Sequence, residues 1–112
     1  MSVQRTQYHC PVELAVDVIG GKWAVVILAH LKEGDLRYGE LRRKVPDITE
    51  KMLTQRLREL TEAGLIERTE HETAPPGVSY KLVADDLRPV LQALYDWGQN
   101  RAASKGIEIV TP

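Results

Sequence analysis

The chain has 112 residues, of which 43% are hydrophobic and 28% charged, a composition typical of one folded domain rather than of a disordered chain. Its formal net charge of −1 gives no overall attraction to polyanions. The longest apolar run, Trp23 to Ala29, is far shorter than the roughly 20 residues that cross a bilayer, and the start "MSVQRTQYHC" lacks the features of a secretory signal. We therefore expect a cytoplasmic protein that does not enter membranes.

Cysteine and histidine usage argues against a metal site or a disulfide framework. The single cysteine, Cys10, leaves only a free thiol or a bridge to another chain. The three histidines, His9, His30 and His71, do not fall at a metal-binding spacing such as HExxH. We expect neither a metal nor a cofactor.

The first three helices are predicted mainly from the residues at their ends. Pro11 suits the first position of a short helix in "PVELAVDVIGG", and the Gly20–Gly21 pair suits its end. The next segment, "KWAVVILAHLKEG", is apolar nearly all round, so its helix belongs in the centre of a core. A short strand is compatible with Leu36–Tyr38, and "ELRRKVP" predicts a brief helix that Pro46 closes.

The segment "DITEKMLTQRLRELTEAGLIER" predicts an amphipathic helix. Either Asp47, which has capping-box spacing to Glu50, or Thr49 can serve as the N-cap, and Gly64 suits the end. One stripe carries the leucines Leu53, Leu57 and Leu60. The opposite side carries Lys51, Gln55, Arg58 and Glu62.

The remaining chain predicts a hairpin and a long helix. "LIERTEH" and "VSYKLV" are rich in β-forming residues and flank the stiff tip "ETAPPG". "DDLRPVLQALYDWGQNRAASKG" is amphipathic, and Asp85 and Asp86 favour its N-terminus.

Positive charge is concentrated in the middle of the chain. Residues 32–58 hold eight bases and five acids, net +3, whereas residues 1–31 are neutral and residues 59–112 have a net charge of −4. This local excess favours contact with phosphates there, although a solvated surface would tolerate it too.

Taken in order, these elements predict a helix-turn-helix followed by a hairpin wing, in a mainly α fold with a small β-hairpin (α+β). In such units the second helix enters the major groove, where Lys51 and Arg58 suit phosphate or guanine and Gln55 suits adenine. Arg42, Arg43 and Lys44 on the preceding helix suit phosphate anchoring, and the tip at Thr73–Gly77 suits the minor groove. On the helix alone, a merely solvated face is the simpler interpretation; the hairpin and the charge excess favour DNA.

The sequence from "CPVELAVDVIGGKW" through "KMLTQRLRELTEAGLIER" to "APPGVSYKL" and "PVLQALYDWG" resembles the HxlR family of bacterial winged-helix transcriptional regulators, relatives of the MarR type. The resemblance implies a homodimer, binding to double-stranded DNA at an operator, and often control by an electrophile, an oxidant or an aromatic effector. By motif position, Arg37 and Tyr38 start the first helix of the motif, and Thr49 to Arg58 form the reading segment. The implied DNA-binding residues are Arg37, Tyr38, Arg42, Arg43, Thr49, Lys51, Met52, Thr54, Gln55, Arg58, Thr73 and Pro75.

We expect one domain over residues 1–112, with the helix-turn-helix at about 38–64, the wing at about 65–83 and the C-terminal dimerisation helix at about 85–104. One junction departs from the family pattern. After Tyr80 the family usually continues Leu-Thr-x-x-Gly-x-x-Leu, whereas "KLVADDLRPVL" lacks that Thr and Gly and is slightly shorter. The departure puts the dimer angle and the operator spacing in question rather than the fold.

Apolar residues on the first and last helices favour a dimer through both. They are Leu14, Val18, Leu87, Val90, Leu91, Leu94 and Trp97. A two-fold dimer would place two reading helices about 34 Å apart, one turn of DNA, or a multiple of that. The alternative is that the same stripe closes the core of the subunit itself.

Cys10 directly precedes Pro11, which places its sulfur near the positive end of the first helix, where a thiolate is favoured. Protonated His9 would reinforce this effect and Glu13 would oppose it. The position matches the family's sensing cysteine, so we expect oxidation or alkylation of Cys10 to switch DNA binding; an inert, half-buried residue is the alternative.

Three other interpretations stay open at this point. An enzyme is disfavoured because no nucleophile–base pair, phosphate loop or carboxylate pair stands out. A winged helix that binds only protein would need neither Lys51 nor Arg58. A regulator that binds a small molecule between its N- and C-terminal helices would use Trp23 and Trp97, which are otherwise expected to fill the core.

Overall fold

A computed structural model describes residues 5–111, so the first four positions and the last position of the expected domain lie outside the described residues. The bounds of the helices and strands in chain order are α1 Pro11–Ile19, α2 Lys22–Leu31, β1 Leu36–Arg37, α3 Tyr38–Lys44, α4 Glu50–Glu62, β2 Ile66–His71, β3 Gly77–Leu82 and α5 Arg88–Lys105. A single 3₁₀ turn, Asp85–Leu87, precedes α5. This is the architecture of a winged helix-turn-helix, so the predicted fold class is confirmed.

The core is built around α2, as its apolar composition predicted. Ile27 and Leu28 of α2 are fully buried, and the other helices and the sheet pack around them with one apolar face each. The fully buried side chains contributed by the surrounding elements are Leu41, Leu53, Leu57, Leu82 and Leu91. Among the described residues no polar or charged residue is buried, so burial of apolar surface holds these helices together.

The three strands form an antiparallel sheet in the order β1-β3-β2. The hairpin register runs from Ile66 opposite Leu82 to His71 opposite Gly77, which leaves residues 72–76 as the tip. β1 pairs with the edge of β3 that faces away from β2, with Arg37 opposite Ser79. Because β1 leads directly into α3, this pairing fixes the start of the helix-turn-helix to the wing.

Local signals explain where α4 begins and ends. Thr49 is the N-cap, and its Oγ1 accepts a hydrogen bond from the backbone amide of Met52 at 3.1 Å. Thr49 rather than Asp47 therefore satisfies a free amide of the first turn. Gly64 follows the last turn with φ of +76°, a conformation that a side chain disfavours.

The last helix differs from the sequence prediction in three respects. Asp85 and Asp86 lie in the 3₁₀ turn and α5 begins only at Arg88, because the chain leaves β3 after two connecting residues and must turn sharply. Leu91 is fully buried in the core of the subunit and Leu87 is half-buried against it, so Leu91 is not available to a second chain. Trp97 is 67% exposed and therefore does not fill the core, whereas Trp23 packs against it.

Among residues 5–111, no helix combines the length and the apolar character that crossing a bilayer would require.

Candidate nucleic-acid interface

The two sides of α4 have opposite environments. Leu53, Leu57 and Leu60 are 0%, 1% and 3% exposed, which fixes the rotation of the helix about its axis. Lys51, Thr54, Gln55 and Arg58 consequently project into solvent. The rotation that hydrophobic burial imposes therefore presents a polar, cationic surface made of long and medium-length hydrogen-bonding side chains.

This exposed side forms one wall of a shallow groove of about 570 Å³. The first residue of α3, Tyr38, forms part of the opposite wall, and its Oη lies 3.3 Å from Thr54 Oγ1, within hydrogen-bond distance. The lining residues are Tyr38, Glu50, Lys51, Thr54, Gln55 and Arg58. We call these six residues the reading groove. All six side chains carry a polar group, so the groove offers hydrogen-bonding groups to a ligand.

Among residues 5–111, the cations of the reading groove form no ion pair. Over residues 5–111 the ion pairs are Arg5–Asp17, Lys32–Glu33, Arg56–Glu59, Arg68–Glu70 and Arg88–Asp85. Neither Lys51 nor Arg58 belongs to any of them. Arg56, by contrast, is half-buried and paired with Glu59 of the same helix, so Lys51 and Arg58 are the cations of α4 without an ion pair among the described residues.

Several residues that the sequence assigned to DNA make internal contacts. Arg42 Nη1 donates to the carbonyl oxygen of Ile48 at 3.2 Å, across the turn between α3 and α4. Thr49 uses its hydroxyl for the N-cap, and Met52 is half-buried against the core. These three residues position α4. The sequence predicted the N-cap role of Thr49, but it did not reveal the contact of Arg42, because the turn geometry decides which carbonyl is in reach.

Arg37 connects the start of α3 to the tip of the wing. Its Nη1 donates to the carbonyl oxygen of Pro75 at 2.8 Å, while its backbone amide donates to Glu40 Oε1 at 2.9 Å. Thr73 and Pro75 are exposed at the tip. The wing is therefore held close to the reading groove by hydrogen bonds as well as by strand pairing.

The end of α3 carries a second group of cations. Arg43 and Lys44 are exposed in its last turn. Both belong to the excess of positive charge that the composition of residues 32–58 indicated. His30 of α2 lies near them, and burial, reinforced by Lys44 and Lys32, lowers the pKa of its imidazole below the usual value. The lowered pKa favours the neutral imidazole of His30, so the positive charge at this position comes mainly from the α3 side chains.

The wing carries negative charge, which sequence reasoning did not consider. Glu67, Glu70 and Glu72 are all exposed on β2 or just beyond it. Arg68 is paired with Glu70 at 2.9 Å, and this hydrogen bond raises the pKa of the guanidinium. The net charge of β2 could have signalled this from the sequence: residues 73–76 of the tip carry no charge and can approach a phosphate backbone with less repulsion than β2.

Cys10 is exposed and is the N-cap of α1, where its side chain makes no capping hydrogen bond. It lines a shallow depression of about 430 Å³ with Arg5, Val12, Glu13, Val16 and Asp17. His9 reaches Glu13 through its backbone amide, which donates to Oε1 at 3.1 Å. The thiol is thus accessible at the N-terminus of α1, in the same depression as Arg5 and Glu13.

Apolar side chains remain uncovered on α1 and α5, the first and last helices. From α1 they include Val12, Leu14, Val16 and Val18, and from α5 they include Val90, Leu94, Tyr95 and Trp97. Five of these are at least half exposed, namely Val12, Val16, Leu94, Tyr95 and Trp97. We call these eight residues the terminal-helix face. Exposed apolar side chains on both helices gain free energy when a second surface covers them.

A cationic helix presented beside a hairpin wing on a helix-turn-helix defines the class of DNA-binding proteins with this motif. The model of the HxlR-like helix-turn-helix family matches residues 18–105, and the chain belongs to this family. It is accordingly a transcriptional regulator of the helix-turn-helix type rather than an enzyme.

Three similar proteins illustrate the relationship. The HTH-type transcriptional regulator YtcD of Bacillus subtilis is 45% identical over 100 residues, which are 88% of this chain and 79% of YtcD. The structure of the redox regulator HypR in its oxidised form has 41% identity and a TM-score of 0.75 over 81% of this chain and 96% of HypR, and its reduced form has a TM-score of 0.76. The reduced transcriptional regulator YodB of B. subtilis has 32% identity and a TM-score of 0.65 over 85% of this chain and 92% of YodB.

Proposed function

We propose that the protein is a homodimer that binds a palindromic operator in the cytoplasm, with one reading groove on each half-site. The main support is that Lys51 and Arg58 form no ion pair among residues 5–111 and lie on the exposed side of a helix whose other side is fully buried. A rigid helix with donors on one side fits the major groove, which is about 12 Å wide.

Within this proposal the side chains have distinct tasks. Gln55 lies in the middle of the exposed side and reads a base, since its amide can make two hydrogen bonds with adenine. Lys51 and Arg58 contact phosphate or guanine, and Arg43 contacts phosphate from α3. Thr73 and Pro75 approach the minor groove, and the acidic strand behind them limits how far the wing can enter.

The terminal-helix face is the proposed dimer interface. None of its eight residues lines the reading groove, so pairing through them leaves both reading grooves free. Two-fold symmetry then places the grooves about 34 Å apart, or a multiple of that, on one side of a duplex. The expected result of sedimentation analysis is a dimer that Trp97→Arg dissociates.

Cys10 is the proposed switch. It is the single thiol of the chain, it is exposed, and the similar protein HypR is a redox regulator with oxidised and reduced structures. A peroxide would convert the thiol to a sulfenic acid and water, and a thiol outside the chain would then displace a second water to form a disulfide. A quinone would instead alkylate the thiolate directly. Either product alters the start of α1, which lies on the dimer face.

One experiment tests both parts of the proposal. Duplexes that the protein binds are selected from a random pool, first with the thiol reduced and then after oxidation. We expect a palindromic consensus in the reduced sample and a changed affinity for it after oxidation or quinone treatment, with Cys10→Ser unresponsive to either. Failure to select any consensus would refute operator binding, whereas an equally responsive Cys10→Ser protein would refute only the switch.

A further inference from the structure

The junction between the wing and α5 is held by one arginine that bonds to three separate elements. Arg88 Nη1 donates to the carbonyl oxygen of Lys32, at the end of α2, at 2.7 Å. Nη2 lies 3.4 Å from the carbonyl oxygen of Leu82 at the end of β3, and Nε donates to Asp85 Oδ1 in the 3₁₀ turn at 3.1 Å. Arg88 is also the first residue of α5, so the guanidinium ties the start of that helix to the rest of the subunit.

The connection between β3 and the 3₁₀ turn is short and is fixed by hydrogen bonds. Val83 and Ala84 alone separate β3 from the 3₁₀ turn, and both of their amides donate to the carbonyl oxygen of Leu65, at 3.0 and 3.2 Å. Lys32, Leu82 and Asp85, from three separate elements, thus supply acceptors around the single side chain of Arg88.

Apolar packing by itself constrains the direction of α5 weakly. Of its eighteen residues only Leu91 and Ala102 are buried. A second contact lies about two turns further along α5: the ammonium of Lys32, whose side chain is 5% exposed, lies 4.8 Å from the centre of the Tyr95 ring. Lys32 therefore meets α5 twice, through its carbonyl and through its ammonium group.

We propose that Arg88 is a positioning residue that fixes the direction of α5 relative to the helix-turn-helix, and thereby sets the operator half-site spacing that the dimer accepts. The inference rests on the proposed function, because α5 carries half of the terminal-helix face. Lysine cannot replace the planar guanidinium, whose donors point in fixed directions toward several acceptors at once.

The geometry amplifies small changes at the junction. An α-helix of eighteen residues is about 27 Å long. A tilt of about 10° at its first residue displaces the far end by about 5 Å, which exceeds the rise of about 3.4 Å per base pair. Loss of the Arg88 contacts would therefore alter the accepted half-site spacing by about one base pair or broaden the range of accepted spacings.

The test measures the separation of the two reading helices directly. A spin label is attached at Glu62→Cys, an exposed position at the end of α4, in a Cys10→Ser background, and the intersubunit distance is measured by double electron–electron resonance without DNA. Four proteins are compared: the parent, Arg88→Lys, Asp85→Ala, and Lys105→Gln, which removes a cation from the other end of the same helix. The same proteins are titrated with operators whose half-sites are separated by a series of spacings, and with a single half-site.

We expect Arg88→Lys to shift or broaden the distance distribution and to move the optimal spacing by about one base pair, or to lower the preference for it about threefold, with single half-site affinity changed by less than about twofold. Lys105→Gln should match the parent. Asp85→Ala, which removes one exposed acceptor and leaves the core intact, should give a smaller change of the same kind, so the test does not depend on the folding of one variant.

The outcomes separate this inference from the proposed function. If a folded Arg88→Lys protein keeps the narrow distance distribution and the spacing preference of the parent, the positioning role is overturned. If only its thermal midpoint of unfolding is lower, Arg88 merely stabilises the fold. Absence of any intersubunit distance in the parent would refute the homodimer itself, and this inference with it.

Discussion

Replacing Lys51 by alanine gives the sharpest test of how α4 contacts DNA. Lys51 is exposed in the first turn of α4, lines the reading groove, and has no acidic partner among residues 5–111. A dimer contains two copies. If each copy neutralises one phosphate, Lys51→Ala lowers the slope of log affinity against log salt by about 1.8, since each contact contributes about 0.9.

The expected loss of affinity depends on salt. A slope change of about 1.8 corresponds to about a 30-fold loss at 0.15 M salt and about a 200-fold loss at 0.05 M, with little difference near 1 M. Fluorescence anisotropy with the selected operator measures these affinities over a salt series. Lys51→Arg should retain the wild-type slope, and Lys105→Ala, which removes an exposed cation from α5, should also retain it.

Two results would contradict the reasoning. An unchanged slope for Lys51→Ala would mean that Lys51 does not approach a phosphate. A loss of the same size at every salt concentration would mean that Lys51 acts through base contacts or through the shape of the groove, and not by releasing counterions.

The other predictions concern specificity, stability and pH. Gln55→Ala should relax the base preference at one position per half-site, by about 1–3 kcal/mol, whereas Arg43→Ala should weaken binding to all duplexes alike; competition with single-base variants of the operator distinguishes them. Leu57→Ala should lower the free energy of unfolding by about 2–5 kcal/mol, because it leaves a cavity under α4, and an equal effect of the exposed Glu62→Ala would contradict this explanation. Because burial lowers the pKa of His30 in the folded chain, the unfolded chain binds its proton first as pH falls below about 6.5. The free energy of unfolding should therefore fall as the pH is lowered from about 6.5 to the folded pKa, and should stay level above about pH 6.5. Urea unfolding at several pH values should show a smaller fall for His30→Gln, and an equal fall in both proteins would exclude the imidazole as the cause.

The sequence by itself determined the elements that depend on neighbouring residues. Pro11 and Gly64 mark helix ends because their backbone preferences are local, and the spacing of Leu53 and Leu57 defines the buried side of α4 whatever covers it. Once that side is known, the solvent-facing position of Gln55 follows. The helix-turn-helix and the hairpin were predictable for this reason.

Contacts between distant segments were decided only in the tertiary structure. The apolar stripe of α5 looks uniform in sequence, yet Leu91 is fully buried and Trp97 is 67% exposed, because the helix rests on the subunit over only part of its circumference. Arg37, Arg42 and Arg88 look like free cations in sequence. Each instead donates to a backbone carbonyl, and for Arg37 and Arg88 the acceptors include Pro75 and Lys32, far along the chain. A long side chain takes whichever acceptor the fold brings within reach, and no local pattern of residues specifies that acceptor.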